Sequence, residues 1–273
     1  MTNNSASSSH VFDQAIALTP DGDTFTGHPS ADYQNMVGPF GGITAAKVLN
    51  AILIHPEAEG SPVSITVNFL GPIKNEAVTL APKLTRNNRS NQHWSVELIQ
   101  GDEIQCTALI VLAKRMDTFE SEEITFPDAP AADTLAELNS DQLPPAWVNQ
   151  YDMRFVYGNM LTMDQPEVPS ESLLWMADKP ARKLDFQSIT AICDAFFPRL
   201  FLRTRKLSPA GTVTFTVYFH VNSEELAQQE STRVLGHARA TKFSGNYFDQ
   251  RGEIWGEDKT LLATTSQLVY YKD

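Results

Sequence analysis

Two segments of this chain are written alike at a fixed distance. Residues 62–69 read Pro-Val-Ser-Ile-Thr-Val-Asn-Phe and residues 212–219 read Thr-Val-Thr-Phe-Thr-Val-Tyr-Phe. Val63, Ile65, Val67 and Phe69 fall on Val213, Phe215, Val217 and Phe219 with one offset, 213 − 63 = 150. Both runs alternate apolar with polar residues, the period of a strand buried on one face. Each follows a helical stretch. Residues 42–54 (GITAAKVLNAILI) come after the punctuation Gly38-Pro39-Phe40-Gly41, and residues 185–202 (DFQSITAICDAFFPRLFL) carry Phe186, Ile189, Ile192, Cys193, Phe196, Phe197, Leu200 and Phe201 at three- and four-residue steps. That spacing makes one broad buried stripe.

Each half closes with further strand-like runs, about 77–85, 93–100 and 104–113 in the first half and about 233–243 and 261–271 in the second. The Gly101-Asp102 pair marks a tight turn. Between the halves, an acidic, Pro-rich stretch from Asp117 to about Pro180 reads as a long connection with at most some short helix. The expected division is a disordered tail over 1–10, an N-terminal repeat over 11–116, a linker over 117–181 and a C-terminal repeat over 182–273. One helix followed by about four antiparallel strands, occurring twice, leaves each sheet with a face to cover and edges to protect. Wrapping each sheet around its helix and joining the two sheets edge to edge answers both needs.

Composition narrows the function classes. Lys and Arg total 21 against 33 Asp and Glu, so the net charge is 21 − 33 = −12. Nucleic acid and anionic membrane surfaces are poor partners for such a chain, because phosphate binding needs clustered cations. No run approaches the roughly 20 apolar residues of a membrane span. The N-terminus, MTNNSASSSH, lacks the charge and the apolar core of a signal peptide. Two distant cysteines, Cys106 and Cys193, supply neither a disulfide framework nor a thiolate metal site. The expected compartment is the cytoplasm. The six histidines show no ligand spacing, so no metal or cofactor is expected, and no G-x-S-x-G elbow or P-loop is present.

The ordered motifs resemble the acyl-CoA thioesterase II (TesB-like) family. They are Gly38-Pro-Phe-Gly-Gly42, Val67-Asn-Phe-Leu-Gly-Pro72 and Arg89-Ser-Asn-Gln-His-Trp94, then Asp194-Ala-Phe-Phe-Pro198, Gly211 to His220 and Ala263-Thr-Thr-Ser-Gln267. The resemblance implies an α+β double-hotdog fold: two helix-plus-antiparallel-sheet repeats forming one continuous sheet around two central helices. It also implies hydrolysis of an acyl-CoA thioester, with lipid metabolism as the setting. In that family an Asp, a Thr and a Gln of the second half hold and activate the hydrolytic water. The matching positions are Asp194, Thr212 and Gln267, with Thr214 as the alternative threonine one strand step away.

The chemistry fits those residue types. A carboxylate ionised at neutral pH takes the water's proton, while Gln and Thr both donate and accept and so fix its lone pair. Backbone N–H groups at the Gly41-Gly42 helix entry are the oxyanion candidates. Arg199, Arg203, Arg205 and Lys206 form the main basic cluster and are the candidates for coenzyme A phosphates, with Arg86 and Arg89 second. Phe186, Phe196, Phe197 and Phe201 are candidates for an acyl tunnel.

Asp194 falls at the border of its helix's apolar stripe, and Pro198 four residues on predicts a kink there. At the offset of 150 its first-half counterpart is Thr44 (194 − 150 = 44), and Ile110 stands opposite Gln267 (267 − 110 = 157). One site per chain is therefore expected. Without the resemblance, Asp194 reads equally as a capping carboxylate, and Thr212 and Gln267 as polar residues on a solvent face. A non-catalytic acyl-CoA-binding protein and a hotdog hydratase or dehydratase are the alternatives. The hydratase needs an Asp–His pair near the helix start, which the sequence lacks. The architecture leaves the sheets as the surfaces through which a homo-oligomer would form.

Overall fold

The computed structural model describes residues 9–161 and 170–272. The first half opens with α1 (Val11–Ile16) and a short hairpin, β1 (Thr19–Asp21) and β2 (Thr24–Gly27). Then come the central helix α2 (Gly41–Leu53) and four strands, β3 (Ser61–Phe69), β4 (Val78–Asn87), β5 (Asn91–Gln100) and β6 (Glu103–Ala113). The second half repeats the plan. A hairpin of β7 (Tyr151–Tyr157) and β8 (Ser172–Asp178) leads into α3 (Phe186–Ile192) and α4 (Arg199–Thr204). After them follow β9 (Ala210–Phe219), the one-turn α5 (Ser223–Ala227), β10 (Arg233–Arg239), the two-residue β11 (Phe243–Ser244), β12 (Tyr247–Gly256) and β13 (Leu261–Tyr271).

Among the described residues, thirteen strands form one sheet, ordered β1-β2-β4-β5-β6-β3-β9-β13-β12-β10-β8-β7, with β11 on β12. The order reads the same from either end, so the sheet has an approximate two-fold axis between β3 and β9. Thr66 pairs with Thr216 at that axis (216 − 66 = 150), and their hydroxyls meet at 3.0 Å. The repeat in the sequence is thus the symmetry of the sheet. This is the double-hotdog arrangement, with α2 and α3 packed on each other inside the curved sheet.

Local chemistry accounts for the elements. In β5, alternate residues from Gln92 to Gln100 are buried, and Gly101 takes φ +62° in the turn to β6. Both edge-to-edge strands carry a bulge at the same place. In β3 the register slips past Val63, between Pro62 and Ser64, and in β9 it slips past Val213, between Thr212 and Thr214. Asp185 caps α3, accepting from the Ser188 N–H at 2.7 Å. Phe40, at the N-cap of α2, offers no such bond.

The structure departs from the sequence-based expectations at several places. The stretch read as a connection over 117–181 contributes β7 and β8 to the sheet, and β12 is a further strand between the two expected in the second half. All seven residues of β8 are buried, so it shows none of the alternation that marks a half-buried strand. The single helix expected over 185–202 is two helices. Pro198 lacks the N–H to continue α3 and stands instead at the N-cap of α4. Residues 1–8 of the expected tail lie outside the described residues, whereas His10 caps α1 and meets the Pro180 carbonyl at 2.8 Å. Among the described residues no helix is long and apolar enough to cross a membrane.

Candidate active site

The break after α3 is what presents Asp194. Its N–H bonds the Ala191 carbonyl in a tightened last turn, and the chain then leaves the helix through Ala195 to Pro198. The carboxyl group projects toward the start of α2. Gly41 and Gly42 make this approach possible. A Cβ on Gly41 would stand 2.8 Å from Asp194 Oδ2, and one on Gly42 would stand 2.6 Å from the Ala191 carbonyl oxygen. Only glycine fits where two helix ends come so close. The nearby Gly42 N–H favours the charged form of the Asp194 carboxyl, while Phe40 offers α2 no side-chain cap.

Asp194 is joined to two further predicted residues. Gln267 Nε2 donates to Asp194 Oδ1 at 2.8 Å, and Thr212 Oγ1 donates to Gln267 Oε1 at 3.3 Å. The bulge at Val213 puts Thr212 there. Phe215, Gln267 and Val269 are buried on the inner face; the register runs Phe215 to Gln267, Thr214 to Leu268, then Thr212 to Val269. Skipping Val213 reverses the alternation, so Thr212 joins the inner face while Thr214 stays with the outward residues. Burial pushes the Asp194 carboxyl up to about 7, against the lowering effects of the Gln267 amide and the Gly42 N–H. A carboxyl tuned near neutrality exchanges protons readily at physiological pH.

These groups line a cavity of about 660 Å³ together with Phe196, Phe197 and Phe201. That volume lies in the range of small-ligand sites. Phe40 and Trp147 stack on another part of its wall, with centroids 4.4 Å apart. Met36, Val37 and Leu207 line it yet are 70%, 77% and 68% exposed, which places them at the mouth. No histidine is among the described residues that line the cavity. Among the described residues no group of three or more His, Cys, Asp or Glu is placed to hold a metal ion.

Other predicted residues are placed differently. Phe186 is not in the cavity wall; it packs edge-on against Phe219 with centroids 5.2 Å apart. Arg199 is 1% exposed and is no surface phosphate ligand. It donates to the Phe197 carbonyl, Gln250 Oε1 and Ser172 Oγ. Arg203, at the end of α4, and Arg205 and Lys206, just after it, are exposed between cavity residues Phe201 and Leu207. Arg86 and Arg89 are exposed at the β4–β5 end of the sheet.

The counterpart of Asp194 also needs correction. Counted from the first residues of the helices, Gly41 and Phe186, the offset is 186 − 41 = 145. Asp194 then matches Leu49 (194 − 145 = 49) and not Thr44. The contact of Gly41 with Phe69, repeated as Phe186 with Phe219, supports this register. Ile110 does stand where Gln267 stands, since Ile65 pairs with Ile110 as Phe215 pairs with Gln267. Gln250, paired across the strands with Gln267 and lining the same cavity, was not anticipated. A lone Gln in a strand carries no sequence signal that tells inner from outer face.

Comparison with known proteins matches residues 30–114 to the acyl-CoA thioesterase N-terminal domain and residues 124–271 to the acyl-CoA thioesterase C-terminal domain. A solved hot dog protein of unknown function from Alicyclobacillus acidocaldarius is 41% identical, with 97% of this chain and 99% of that chain covered and a TM-score of 0.93. A putative thioesterase II from Thermobifida fusca is 16% identical over 96% and 98% of the two chains, with a TM-score of 0.84. An acyl-CoA thioesterase II from Mycobacterium marinum is 16% identical over 96% and 98%, with a TM-score of 0.74. The curated proteins give no match.

Proposed function

Since the chain belongs to the acyl-CoA thioesterase II (TesB-like) family of double-hotdog proteins, we propose that it hydrolyses an acyl-CoA to a free acid and coenzyme A. The observation that carries this reading is the connected chain Asp194–Gln267–Thr212 on the wall of a largely apolar cavity. Thr212 and Gln267 hold a water, and Asp194 in its ionised form takes a proton as the water oxygen attacks the thioester carbonyl carbon. The new C–O bond forms as the carbonyl electron pair moves onto oxygen. Collapse of that intermediate breaks the C–S bond. The leaving thiolate then takes the proton from Asp194, which restores the base.

The first-turn N–H groups of α2 remain candidates for the oxyanion, with Gly42 shared with Asp194. The acyl chain runs along Phe196, Phe197 and Phe201, and the mouth beside Arg203, Arg205 and Lys206 receives the phosphates. A hydratase reading finds no histidine in the lining to pair with the carboxylate. Buried free thiols at Cys106 and Cys193, both pushed upward by burial, suit a cytoplasmic setting.

Thiol release from a panel of short, long and aromatic acyl-CoAs tests the proposal, with Asp194→Asn measured beside the wild type. Turnover by the wild type that disappears in the variant is expected. Full activity in Asp194→Asn overturns the assigned base. Tight binding of acyl-CoA with no thiol release from any member leaves an acyl-CoA-binding protein.

A further inference from the structure

We infer that Gln250 is a substrate-carbonyl donor whose direction is fixed by Arg199, which acts as a positioning residue. The inference rests on the thioesterase reading and extends it. Arg199 is a fully buried guanidinium, and among the described residues it has no carboxylate partner. Its contacts are to neutral oxygens. Nε meets the Phe197 carbonyl and Gln250 Oε1, each at 3.0 Å; Nη2 meets the Phe197 carbonyl at 2.5 Å and Nη1 meets Ser172 Oγ at 2.8 Å. Burial pulls its pKa down to about 9. Removing a cation from water without a counter-charge destabilises the fold, so packing alone gives no reason to keep it.

Its geometry does give one. Arginine donates through every nitrogen and accepts through none. The Gln250 amide therefore has to turn its oxygen toward Arg199, which directs its NH2 group the other way. Gln250 is 2% exposed, lies in the cavity wall and is the cross-strand partner of Gln267. Among the described residues its Nε2 makes no hydrogen bond to the protein. It is a donor in the cavity wall beside the Asp194–Gln267 pair. Such a donor suits an oxygen that gains negative charge in the transition state. It adds a donor to the first-turn N–H groups of α2, of which Gly42 also acts on Asp194. Through the Phe197 carbonyl the same Arg199 ties down the segment that follows Asp194, so one guanidinium sets both the base and the carbonyl donor.

The test uses two readouts on the whole protein. The first is the carbonyl stretch of a ¹³C-labelled ketone analogue of octanoyl-CoA, in which CH2 replaces the sulfur. The second is turnover of octanoyl-CoA. Binding to the wild type is expected to move the stretch to lower frequency, and Gln250→Met to abolish most of that movement. The same variant is expected to lower kcat by about 10²-fold while KM changes far less. Arg199→Lys, shown to be folded by thermal unfolding, should lose part of the shift, and adding it to Gln250→Met should lower kcat little further.

An unchanged stretch and unchanged kcat in Gln250→Met overturns the inference and leaves the thioesterase reading standing. Additive losses in the double variant overturn the positioning role of Arg199. A Gln250-dependent stretch in a protein that hydrolyses no acyl-CoA supports the donor and removes the thioesterase reading.

Discussion

Gly41 stands at the first position of α2, and Phe186 stands at the matching position of α3. That pair condenses the difference between the halves. Beside Gly41 the missing side chain admits the carboxyl group of Asp194, while at the same place in the other half a phenyl ring packs on Phe219. The remaining counterparts follow suit. Asp194 corresponds to Leu49, Gln267 to Ile110, and Thr212 to Pro62 (212 − 150 = 62). Leu49 and Ile110 are fully buried. The helix starts divide this way too, since α3 is capped by its own Asp185 while Phe40, at the start of α2, offers no side-chain bond. Duplicated architecture, the bulge at Val63 and Val213 included, therefore holds chemistry in one copy and packing in the other.

The comparison can be broken most severely at Asp194. Asp194→Asn should lower kcat/KM by about 10³–10⁴-fold, the scale of a lost general base, as read by thiol release. It should also stabilise the protein at neutral pH. The folded carboxyl titrates near 7, above its ordinary value of 3.8, so the folded form holds its proton more tightly than the unfolded chain. Stability therefore falls as pH rises from about 4 to about 7, by an amount on the order of a few kcal/mol, and stays lowered above. The variant should lose that part of the pH dependence in urea titrations. It should retain the part due to Asp178, also buried and raised to about 7. For the wild type, kcat/KM should rise with pH through about 7 and then level off.

Next in size is Gly41→Ala. Its methyl group would meet Asp194 Oδ2 at 2.8 Å, and the displaced carboxyl should cost about 10²-fold in kcat. The complementary change, Phe186→Ala, should cost about 3–5 kcal/mol in urea unfolding and leave the turnover of folded protein near that of the wild type. Equal damage to turnover from both would erase the distinction between the halves.

Smaller still is Thr212→Val, expected to lower kcat about 10-fold, the worth of one hydrogen bond to the Gln267 amide. Thr214→Val, on the other side of the bulge, should leave it unchanged, and a reversed result would relocate the site threonine. Smallest is the change from replacing Arg203, Arg205 and Lys206 by alanine together. It should raise KM a few-fold and weaken its dependence on salt, because exposed charges act through a screened field.

How much of this was legible depends on where the signal lay. The pairing of β3 with β9 was written into the offset of 150, because strands buried on one face repeat every second residue and the axis runs through them. β8 was hidden by the opposite property. Buried on both faces, Ser172 to Asp178 has no period, and its proline-rich neighbours suggested only a connection. Asp194, Thr212 and Gln267 were named through the family's motifs. The bulge that selects Thr212 over Thr214 is a matter of register, which no residue at Val213 announces. The five-residue difference between the helix offset and the strand offset was likewise invisible, since it is absorbed where the second helix breaks. Arg199 was misassigned for a physical reason: sequence counts its charge, and only packing shows that the charge is inside.

The pseudo-symmetric seam also sets an order in time. A ribosome delivers Gln267 only 267 − 41 = 226 residues after Gly41. While β3 waits for β9, the first half has an unpaired strand edge, a surface prone to wrong partners during synthesis. The active centre closes only when that edge is covered, so a nascent chain acquires its proposed chemistry and its protection from aggregation in the same step.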